Sequence, residues 1–569
     1  MSDKLSQYKE AEGCYPNRYW LWPLYGAGFD SMGVNGKPIE VGSQQCAPDE
    51  LVVRHDAVGL CFSDIKIINL GQNHPRIHHN MQATPVILGH EVAMTVLAVG
   101  KNLRERYKPG DRLTIEADIY VDGVSLAYGY TFQGGLSQYA VIDRLVMNND
   151  HGDALIPVDP SSGYAESALT EPWACVIAAY RLEYRTSIRS DGSLWIIGGG
   201  DERPYTISAG FNVTSHPARL LLTDVPAGFD AWLRKEALAL NIEVLDVPDV
   251  SSPPLESVDD IILLGANPDL VEKASPFLAP FGIFSIAAEK PMSRKVAVDV
   301  GRVHYSRWVY VGTTSTDLAA AYRQVPVRSK LKPGGKVWFV GAGGPIGRMH
   351  VQAAISFENR PATIVCSDVS NTRLDDLCLS FASEAQQRGI EWVCLNPNDK
   401  EHYAAVMSKY IEEGFDDIVV LVPVPAVISD AAAYAAEKGV INVFAGINKG
   451  TSVDLDLSDV YQKQVRMIGH SGSNMIDMHI TLEKARTSEL SRNRSVAAIG
   501  SLSAARDGLM AVKDTVYPGK VIIYPNIKEL PLTAITDLKD YLPAVYAKLK
   551  EGREWTNEAE EELFRQMLP

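Results

Sequence analysis

The chain contains one segment twice. Ala178-Ala179-Tyr180-Arg181 recurs as Ala320-Ala321-Tyr322-Arg323 after a shift of 142 residues, and Asp259-Asp260-Ile261 recurs as Asp416-Asp417-Ile418 after a shift of 157. The matches keep their order along the chain and the shift only grows. We therefore interpret the two segments as tandem copies that have acquired small insertions, and a fold built on two related units is expected.

The duplication sets the domain organisation. Each copy alternates short apolar runs with helical patterns, which is typical of a doubly wound parallel sheet. Residues 40–150 instead contain short strands broken by Gly, Pro and Asp, which predicts a small β-barrel or sandwich. We predict four segments, which are 1–177, 178–319 (copy one), 320–485 (copy two) and 486–569, the last returning to the first domain.

The end of the chain has a helical pattern. Leu538, Tyr541, Leu542, Val545 and Leu549 recur at helical spacing and predict one apolar face of a terminal helix. A helix of this kind can pack against a domain core through that face.

Composition excludes several classes of function. The net charge of −16 disfavours a nucleic-acid partner, because phosphate binding needs a basic surface. No stretch reaches the roughly 20 apolar residues of a membrane helix, and the start of the chain has no apolar signal core. The seven cysteines form no CxxC pair, so a reducing, cytoplasmic setting is expected.

Copy two contains a glycine-rich loop between a predicted strand and a predicted helix. Glycines there let the backbone turn sharply and approach a pyrophosphate at the helix N-terminus. Asp368 ends the next predicted strand, 21 residues after Gly347, where a carboxylate binds ribose hydroxyls and repels the extra phosphate of NADP. We therefore predict an NAD site, with a ligand-free glycine turn as the alternative. The predicted cofactor-binding residues are Gly341, Gly343, Gly344, Gly347, Asp368 and Arg373.

The same loop is altered in copy one. It reads Gly198-Gly199-Gly200-Asp201-Glu202-Arg203-Pro204, so Pro204 replaces the third glycine and two carboxylates stand where phosphates would arrive. These charges would repel a pyrophosphate. We interpret copy one as a degenerate structural copy, and a second nucleotide site is the alternative.

Upstream of the copies, four side chains suit a metal. Cys61, His90, Glu91 and Glu171 offer thiolate, imidazole and carboxylate donors, which are ligands of Zn²⁺ in catalytic sites. Each residue alone is more often a core residue than a ligand. The prediction of a metal site therefore depends on the set.

Several motifs in a fixed order reveal a resemblance. They are Cys61-Phe62-Ser63-Asp64, Gly89-His90-Glu91, Lys108-Pro109-Gly110-Asp111-Arg112, Gly134-Gly135-Leu136-Ser137-Gln138-Tyr139 and Glu171-Pro172. The chain resembles the medium-chain zinc alcohol dehydrogenase superfamily, in particular its sorbitol/threonine dehydrogenase and sorbose-1-phosphate reductase-like branch. The resemblance implies an α/β fold with a GroES-like, β-rich catalytic domain, to which this chain adds two tandem Rossmann-like domains.

The resemblance also implies roles for single residues. Cys61, His90 and Glu91 would ligate one catalytic zinc, with Glu171 as fourth ligand or one water away. Ser63 would start a proton relay from the substrate hydroxyl, and Asp64 would orient a zinc ligand. No structural zinc is expected, because no cysteine lies between Cys61 and Cys175.

Two further positions have open interpretations. Cys175 would lie near the nicotinamide in a packing role, with a purely structural role as an equal alternative. Arg76 lies in a long insertion between Cys61 and His90, where it could read a phosphate or carboxylate. A solvated polar loop is the alternative for that insertion.

We therefore predict a zinc-dependent, NAD-linked oxidoreductase acting on a secondary hydroxyl of a polyol, sugar or sugar phosphate. The alternatives are an epimerase or lyase that oxidises its substrate transiently with bound NAD, and a non-enzymatic nucleotide-binding scaffold. The chain could form a homodimer. It could also imitate a dimer internally, with the two copies paired edge to edge, since an open edge strand invites pairing.

Overall fold

The computed structural model describes residues 4–11, 15–324, 328–470 and 472–569. The chain divides into two compact units. The first unit comprises Met1–Ala178, Gly344–Met349 and Gly472–Pro569, and the second unit comprises Ala179–Gly343 and His350–Ser471. The second unit therefore holds both copies of the duplication.

The N-terminal part of the first unit is rich in strands. Its strands are β1 (Arg18–Leu21), β2 (Pro23–Leu24), β3 (Ile39–Gly42), β4 (Leu51–Gly59), β5 (Val86–Ile87), β6 (Glu91–Val99), β7 (Arg112–Ile115), β8 (Tyr120–Val121), β9 (Val124–Ser125), β10 (Tyr139–Ile142) and β11 (Leu155–Pro157). Its helices are α1 (Lys4–Glu10), α2 (Phe62–Leu70), α3 (Arg144–Met147), α4 (Tyr164–Ala168) and α5 (Thr170–Ala179).

The second unit alternates strands and helices. Its strands are β12 (Ser193–Gly198), β13 (Arg219–Thr223), β14 (Glu243–Asp246), β15 (Val258–Leu264), β16 (Leu278–Ala287), β17 (Val296–Asp299), β18 (Val309–Thr313), β19 (Lys336–Val340), β20 (Thr363–Ser367), β21 (Glu391–Leu395), β22 (Phe415–Val420), β23 (Ala435–Val443), β24 (Ser452–Leu455) and β25 (Arg466–Gly469). Its helices, of which α10 begins in the first unit, are α6 (Ala227–Leu240), α7 (Pro268–Ala274), α8 (Val300–Tyr305), α9 (Ala320–Gln324), α10 (Pro345–Ser356), α11 (Asn371–Gln387), α12 (Lys400–Met407), α13 (Pro425–Ala432) and α14 (Ser458–Gln462).

The C-terminal part returns to the first unit. Its elements are α15 (Met475–Arg486), β26 (Val496–Ser501), α16 (Ala505–Lys513), β27 (Lys520–Tyr524), β28 (Thr533–Ala534), α17 (Leu538–Tyr541), α18 (Pro543–Tyr546) and α19 (Asn557–Met567). The main sheet of the unit has the order β11-β7-β6-β4-β27-β26-β28, with β10 also paired to β4. All nine residues of β4 are buried, so this strand forms the centre of the core.

The two copies form one sheet of twelve strands. Copy one contributes the order β14-β13-β12-β15-β16-β18, and copy two contributes β25-β23-β22-β19-β20-β21. Within each copy the strand order is that of a dinucleotide-binding fold. The copies meet where β18 pairs antiparallel with β25, with Tyr310 opposite Met467. The expected edge-to-edge pairing of the copies within one chain is therefore present.

A second contact joins the copies. The four residues of β17 pair antiparallel with those of β24, from Val296 opposite Leu455 to Asp299 opposite Ser452. One hydrophobic core cluster includes Trp195 of copy one and Trp338 of copy two. The α/β fold class is confirmed, and one core cluster is shared by the two copies, while copy one has a further cluster of its own.

Copy one lacks a helix that was expected from its repeat pattern. Copy two has α10 between β19 and β20, whereas residues 199–218 of copy one, which connect β12 to β13, contain no helix. Pro204 and Pro217 lie in this segment, and proline cannot donate an intrahelical hydrogen bond. The strand–loop–helix unit that would carry a pyrophosphate is therefore incomplete in copy one.

The predicted terminal helix is wrong in detail. The predicted apolar face from Leu538 to Leu549 is divided between two short helices, α17 and α18, and α18 begins at Pro543. Leu542 lies between the two helices and Leu549 lies beyond α18. Leu542 has φ −137° and ψ 67°, as expected for a residue before proline, which disfavours the helical region. The last helix is α19. Among the helices of the described residues, none combines the length and the apolar character that crossing a bilayer requires.

Candidate active site

Cys61 lies at the start of α2, where local hydrogen bonds fix it. The backbone N–H of Cys61 donates to Asp64 Oδ2 over 3.0 Å, which closes a capping box on the first turn of the helix. The Cys61 thiol donates to Ser63 Oγ over 3.6 Å. The predicted Ser63 and Asp64 therefore both lie in the immediate surroundings of Cys61.

His90 and Glu91 enter the same site from the start of β6. His90 Nδ1 lies 3.4 Å from Asp64 Oδ1, which leaves Nε2 of the ring to serve as a ligand. Burial opposes protonation of His90, but Asp64 and Cys61 outweigh it and raise the pKa of the ring well above its ordinary value. Asp64 thus lies beside the imidazole, and its role in orienting a zinc ligand stays a prediction.

Glu91 is a fully buried carboxylate with one oxygen committed. Lys520 on β27, also buried, pairs with Glu91 Oε1, and this pairing outweighs burial to raise the pKa of the lysine. Glu91 Oε2 is buried and has no hydrogen-bond partner among the described residues. A Cβ atom at Gly59 would come within 2.1 Å of this oxygen, so a glycine is required beside it.

The three side chains form a potential metal site. The ligand atoms of Cys61, His90 and Glu91 all lie within 4.8 Å of one another. A thiolate, an imidazole and a carboxylate are the donors that Zn²⁺ prefers. The unpartnered, buried Glu91 Oε2 is the kind of atom that requires a ligand, because an unsatisfied buried carboxylate oxygen is costly. These residues therefore fit a zinc ion.

Glu171 lies near this group but outside it. It is on α5, and the Cys175 thiol donates to Glu171 Oε1 over 3.7 Å. Burial raises the pKa of Glu171 to about 7, while His90 and Lys520 lower it and Glu91 raises it. The Glu171 carboxyl group thus interacts electrostatically with His90 and Glu91 but does not belong to the cluster of ligand atoms.

The sequence interpretation missed Glu116, another buried carboxyl group in the first unit. Ser473 Oγ donates to Glu116 Oε2 over 2.7 Å, and burial raises the pKa of the carboxyl to about 8. Its place directly after the buried strand β7 was a signal that the sequence offered. Glu116 and Glu171 interact electrostatically, so the two carboxyls belong to one acidic region.

Arg76 is engaged by its own neighbours. Its guanidinium pairs with Asp118 over 2.5 Å, donates to Ser125 Oγ over 2.7 Å and lies 5.1 Å from the centre of the Tyr130 ring. The charge of Arg76 is thus compensated within the first unit. The structure does not support Arg76 as an uncommitted reader of substrate anions.

The glycine loop of copy two has the geometry of a close backbone turn. Gly341 has φ +85°, and a Cβ there would lie 2.4 Å from Val422. A Cβ at Gly343 would come within 2.7 Å of Arg373 and 2.8 Å of Asp368. The other two predicted glycines lie directly after this turn, Gly344 before α10 and Gly347 within it. The loop therefore excludes side chains where a dinucleotide backbone would approach.

Asp368 is tied to this loop. Its Oδ2 accepts from Gly343 N over 3.0 Å, and its Oδ1 accepts from Ser370 N over 3.0 Å. The carboxylate thus lies beside the glycine turn, where the predicted ribose contact requires it. The structure brings Gly343, Asp368 and Arg373 together, and these residues fit a dinucleotide. Their role in binding a cofactor stays a prediction.

Among the described residues of copy one, no equivalent glycine turn is open for a pyrophosphate. Asp201 forms an ion pair with Arg203 over 2.9 Å, and Arg203 also donates to Thr314 O over 2.8 Å. Asp224, the counterpart of Asp368, is exposed and has φ 48°. The loop that would receive phosphates is filled by its own side chains.

Comparison with known proteins shows which family the chain resembles. The family model of the alcohol dehydrogenase GroES-like domain matches residues 47–148. A mannitol-1-phosphate 5-dehydrogenase of Aliivibrio fischeri is 23% identical over 86% of this chain and 83% of its own length. An L-sorbose 1-phosphate reductase of Klebsiella pneumoniae is 29% identical over 48% of this chain and 72% of its own length. The chain is thus similar to members of the medium-chain zinc alcohol dehydrogenase superfamily, in its GroES-like domain and in its polyol and sugar-phosphate dehydrogenase relatives.

The similarity to alcohol and polyol dehydrogenases supports an oxidoreductase. Relatives also match the chain with its duplication: the uncharacterized protein YggP of Escherichia coli is 24% identical over 91% of this chain and 92% of its own length. A crystal structure of 2R,3R-butanediol dehydrogenase from Bacillus subtilis has a TM-score of 0.52 at 15% identity, covering 89% of this chain and all of its own. That likeness concerns the fold.

Proposed function

We propose that the chain is a zinc-dependent, NAD-linked dehydrogenase that acts on a secondary hydroxyl of a polyol, sugar or sugar phosphate. The convergence of the Cys61, His90 and Glu91 ligand atoms within 4.8 Å is the observation on which this proposal depends. A structural protein has no need of three clustered metal ligands, of which His90 and Glu91 are buried and Glu91 has an unpartnered carboxylate oxygen. The substrate class is taken from the names of the relatives, a mannitol-1-phosphate 5-dehydrogenase and an L-sorbose 1-phosphate reductase.

In this proposal each residue of the site has one task. Cys61, His90 and Glu91 hold the zinc, with Glu171 as a fourth ligand or separated from it by a water. When bound, the ion would supply Lewis acidity that lowers the pKa of a substrate hydroxyl. Ser63 Oγ, close to the Cys61 thiol, takes the hydroxyl proton and passes it outward.

Two charged residues support that site. Asp64 holds the imidazole of His90 in the ligating orientation. Lys520 compensates the negative charge of the buried Glu91 carboxylate. Neither residue needs to touch the substrate.

The cofactor is assigned to copy two. The loop with Gly341, Gly343, Gly344 and Gly347 receives the pyrophosphate, and Asp368 and Arg373 border the ribose. A carboxylate at this position favours NAD over NADP. Residues 1–177 and 486–569 form the catalytic domain in this proposal, copy one has a structural role, and a cytoplasmic location is expected.

The test is NADH formation at 340 nm with NAD and a panel of polyols, sugars and their phosphates. Metal content per chain is measured in parallel. We compare the wild type with Cys61→Ala and with Cys46→Ala, a control whose thiol donates to Glu50 O over 3.1 Å and lies outside the ligand set. Zinc binding and NADH formation lost in Cys61→Ala alone would support the proposal.

Two other outcomes would replace the proposal. Substrate turnover without net NADH, from protein that contains zinc and NAD, would indicate an epimerase or lyase that oxidises its substrate transiently. Protein without zinc and without turnover would indicate a nucleotide-binding scaffold. Equal activity of Cys61→Ala and the wild type would reject the metal assignment.

A further inference from the structure

Three cysteines of copy two lie side by side. Cys366 is on β20, Cys378 on α11 and Cys394 on β21. The Cys378 and Cys394 sulfurs are 2.8 Å apart, which is closer than an ordinary contact between two sulfur atoms. Both thiols are partly accessible, whereas Cys366 is buried. No sequence pattern indicates this pair, because its members are sixteen positions apart and lie on different elements.

The duplication provides an internal reference for this contact. Cys378 lies ten residues after Asp368, and Arg234 lies ten residues after the equivalent Asp224. Cys394 pairs across the sheet with Cys366, and Asp246 pairs in the same way with Leu222.

In copy one these positions carry an ion pair, between Arg234 and Asp246. The contact between the helix and the outer strand is thus kept in both copies, but its chemistry differs. It is an ion pair in copy one and a thiol pair in copy two, the copy with the complete glycine loop.

We propose that Cys378 and Cys394 are a redox modification site, at which a low-molecular-weight disulfide oxidises the two thiols to a disulfide joining α11 to β21. The Cys378 thiolate attacks the external disulfide, which forms a mixed disulfide and releases one thiolate. The Cys394 thiolate then attacks the Cys378 sulfur and releases the second. Two protein thiols are oxidised, one disulfide is reduced to two small thiols, and those thiols take up the two protons.

The order of attack follows from the surroundings. The Cys378 thiol is the less deeply buried of the two, so an external disulfide reaches it first. The hydrogen bond with Cys394 raises the pKa of Cys378, so little thiolate is present at neutral pH. Exchange is therefore slow at neutral pH and accelerates as the pH rises, since the thiolate is the nucleophile.

Mass spectrometry after oxidation tests this directly. The full-length protein is incubated with oxidised glutathione, alkylated and digested with trypsin. Arg373 and Arg388 place the three cysteines in three different peptides, so a disulfide between Cys378 and Cys394 joins residues 374–388 to residues 389–400. We expect this joined species, its loss with dithiothreitol, and faster formation at pH 9 than at pH 7.

Variants make the result specific. Cys378→Ser and Cys394→Ser should each abolish the joined species, whereas Cys46→Ser should leave it unchanged. Oxidation should also raise the melting temperature of the wild type by a few degrees, because the cross-link restricts the unfolded chain, and should not do so in Cys378→Ser. Full alkylation of both cysteines, a glutathione adduct alone, or a link between Cys394 and Cys366 would overturn the proposal.

Discussion

The two copies of the second unit share one strand order and differ in almost every feature that concerns a ligand. In copy two, a glycine turn without side chains leads into α10, and Asp368 is hydrogen-bonded to that turn. In copy one the corresponding segment lacks the helix, and Asp201 and Arg203 fill the loop. The copies have diverged in their loops and kept their sheet.

What copy one retained is a packing surface. Its last strand, β18, pairs with the last strand of copy two and closes an edge that would otherwise be open. The core cluster that includes Trp195 continues to Trp338 without a break between the copies. A duplicated domain can therefore lose its ligand-binding chemistry and still be retained, because the second copy depends on it for burial.

The largest expected effect is at the seam between the copies. Tyr310 is 1% exposed, stacks on Phe284 at 5.7 Å and lies opposite Met467. Tyr310→Ala should lower the free energy of unfolding by about 3–5 kcal/mol, as for other large buried aromatics.

Because a core cluster is shared by both copies, denaturant should unfold them in one shifted transition, measured by the intrinsic tryptophan fluorescence of the chain. Leu238→Ala, at a side chain 85% exposed, is the control and should change stability by less than about 0.5 kcal/mol. Two separate transitions, with only copy one affected, would show that the copies are independent domains.

The second effect tests which copy binds the cofactor. Asp368→Ala removes the carboxylate beside the glycine turn and should weaken NAD binding about 10- to 100-fold, since hydrogen bonds to a charged group contribute about 1.5–3 kcal/mol. The matched Asp224→Ala in copy one should leave the affinity unchanged. Both dissociation constants and the number of NAD per chain can be measured by calorimetry. Equal losses in the two variants, or two NAD per chain, would contradict the asymmetry.

Much of the difference between the two copies could be predicted from the sequence, because the features that differ lie in short segments of the chain. Short segments carry the signals. They are the repeated motifs of the duplication, the glycine loop and the motifs around Cys61 and His90, and their residue types indicate their chemistry before the fold is known. The Rossmann-like and GroES-like classes came with the resemblance and are confirmed. The pairing of β18 with β25 followed from the need to close an edge strand.

What the sequence could not provide depends on distant parts of the chain. Lys520 and Glu91 are 429 positions apart in the sequence, and Ser473 and Glu116 are 357 positions apart. No local sequence pattern could therefore predict either pair. The missing helix of copy one was obscured by the repeat itself, because the surrounding strands still match. The contact between Cys378 and Cys394 required the register of β21, which a sequence pattern does not give.

A third, smaller effect concerns two equivalent buried carboxyls, Asp260 in copy one and Asp417 in copy two. Asp260 in copy one accepts from the hydroxyl of Tyr322, which opens copy two, over 3.0 Å. The equivalent Tyr180, which opens copy one, is hydrogen-bonded to His350 instead of to Asp417. Burial, only partly opposed by Arg328, raises the pKa of Asp417 to about 6. The folded protein therefore binds more protons than the unfolded chain between roughly pH 4 and pH 6.

Stability should fall as the pH rises through this window, by on the order of 2 kcal/mol. Asp417→Asn should flatten this part of the profile, measured as urea midpoints from pH 4.5 to pH 7. Asp260→Asn should change the profile less, because Tyr322 stabilises the ionised form. An unchanged slope in Asp417→Asn would show that the carboxyl is already ionised at the acid end.

The smallest effect separates the two versions of the helix–strand contact. Arg234 and Asp246 are 42% and 71% exposed, so Arg234→Ala should cost no more than about 1 kcal/mol of stability. Molar salt should remove most of that cost, since it screens exposed charges. Cys378→Ser should show no such salt dependence, and Arg234→Ala should oxidise at Cys378 and Cys394 like the wild type.

A salt-independent cost above about 2 kcal/mol would mean that Arg234 acts by packing its stem rather than by its charge. The replacement of this ion pair by two thiols in copy two would then be a change of packing, and only the oxidation experiment would still distinguish the copies chemically.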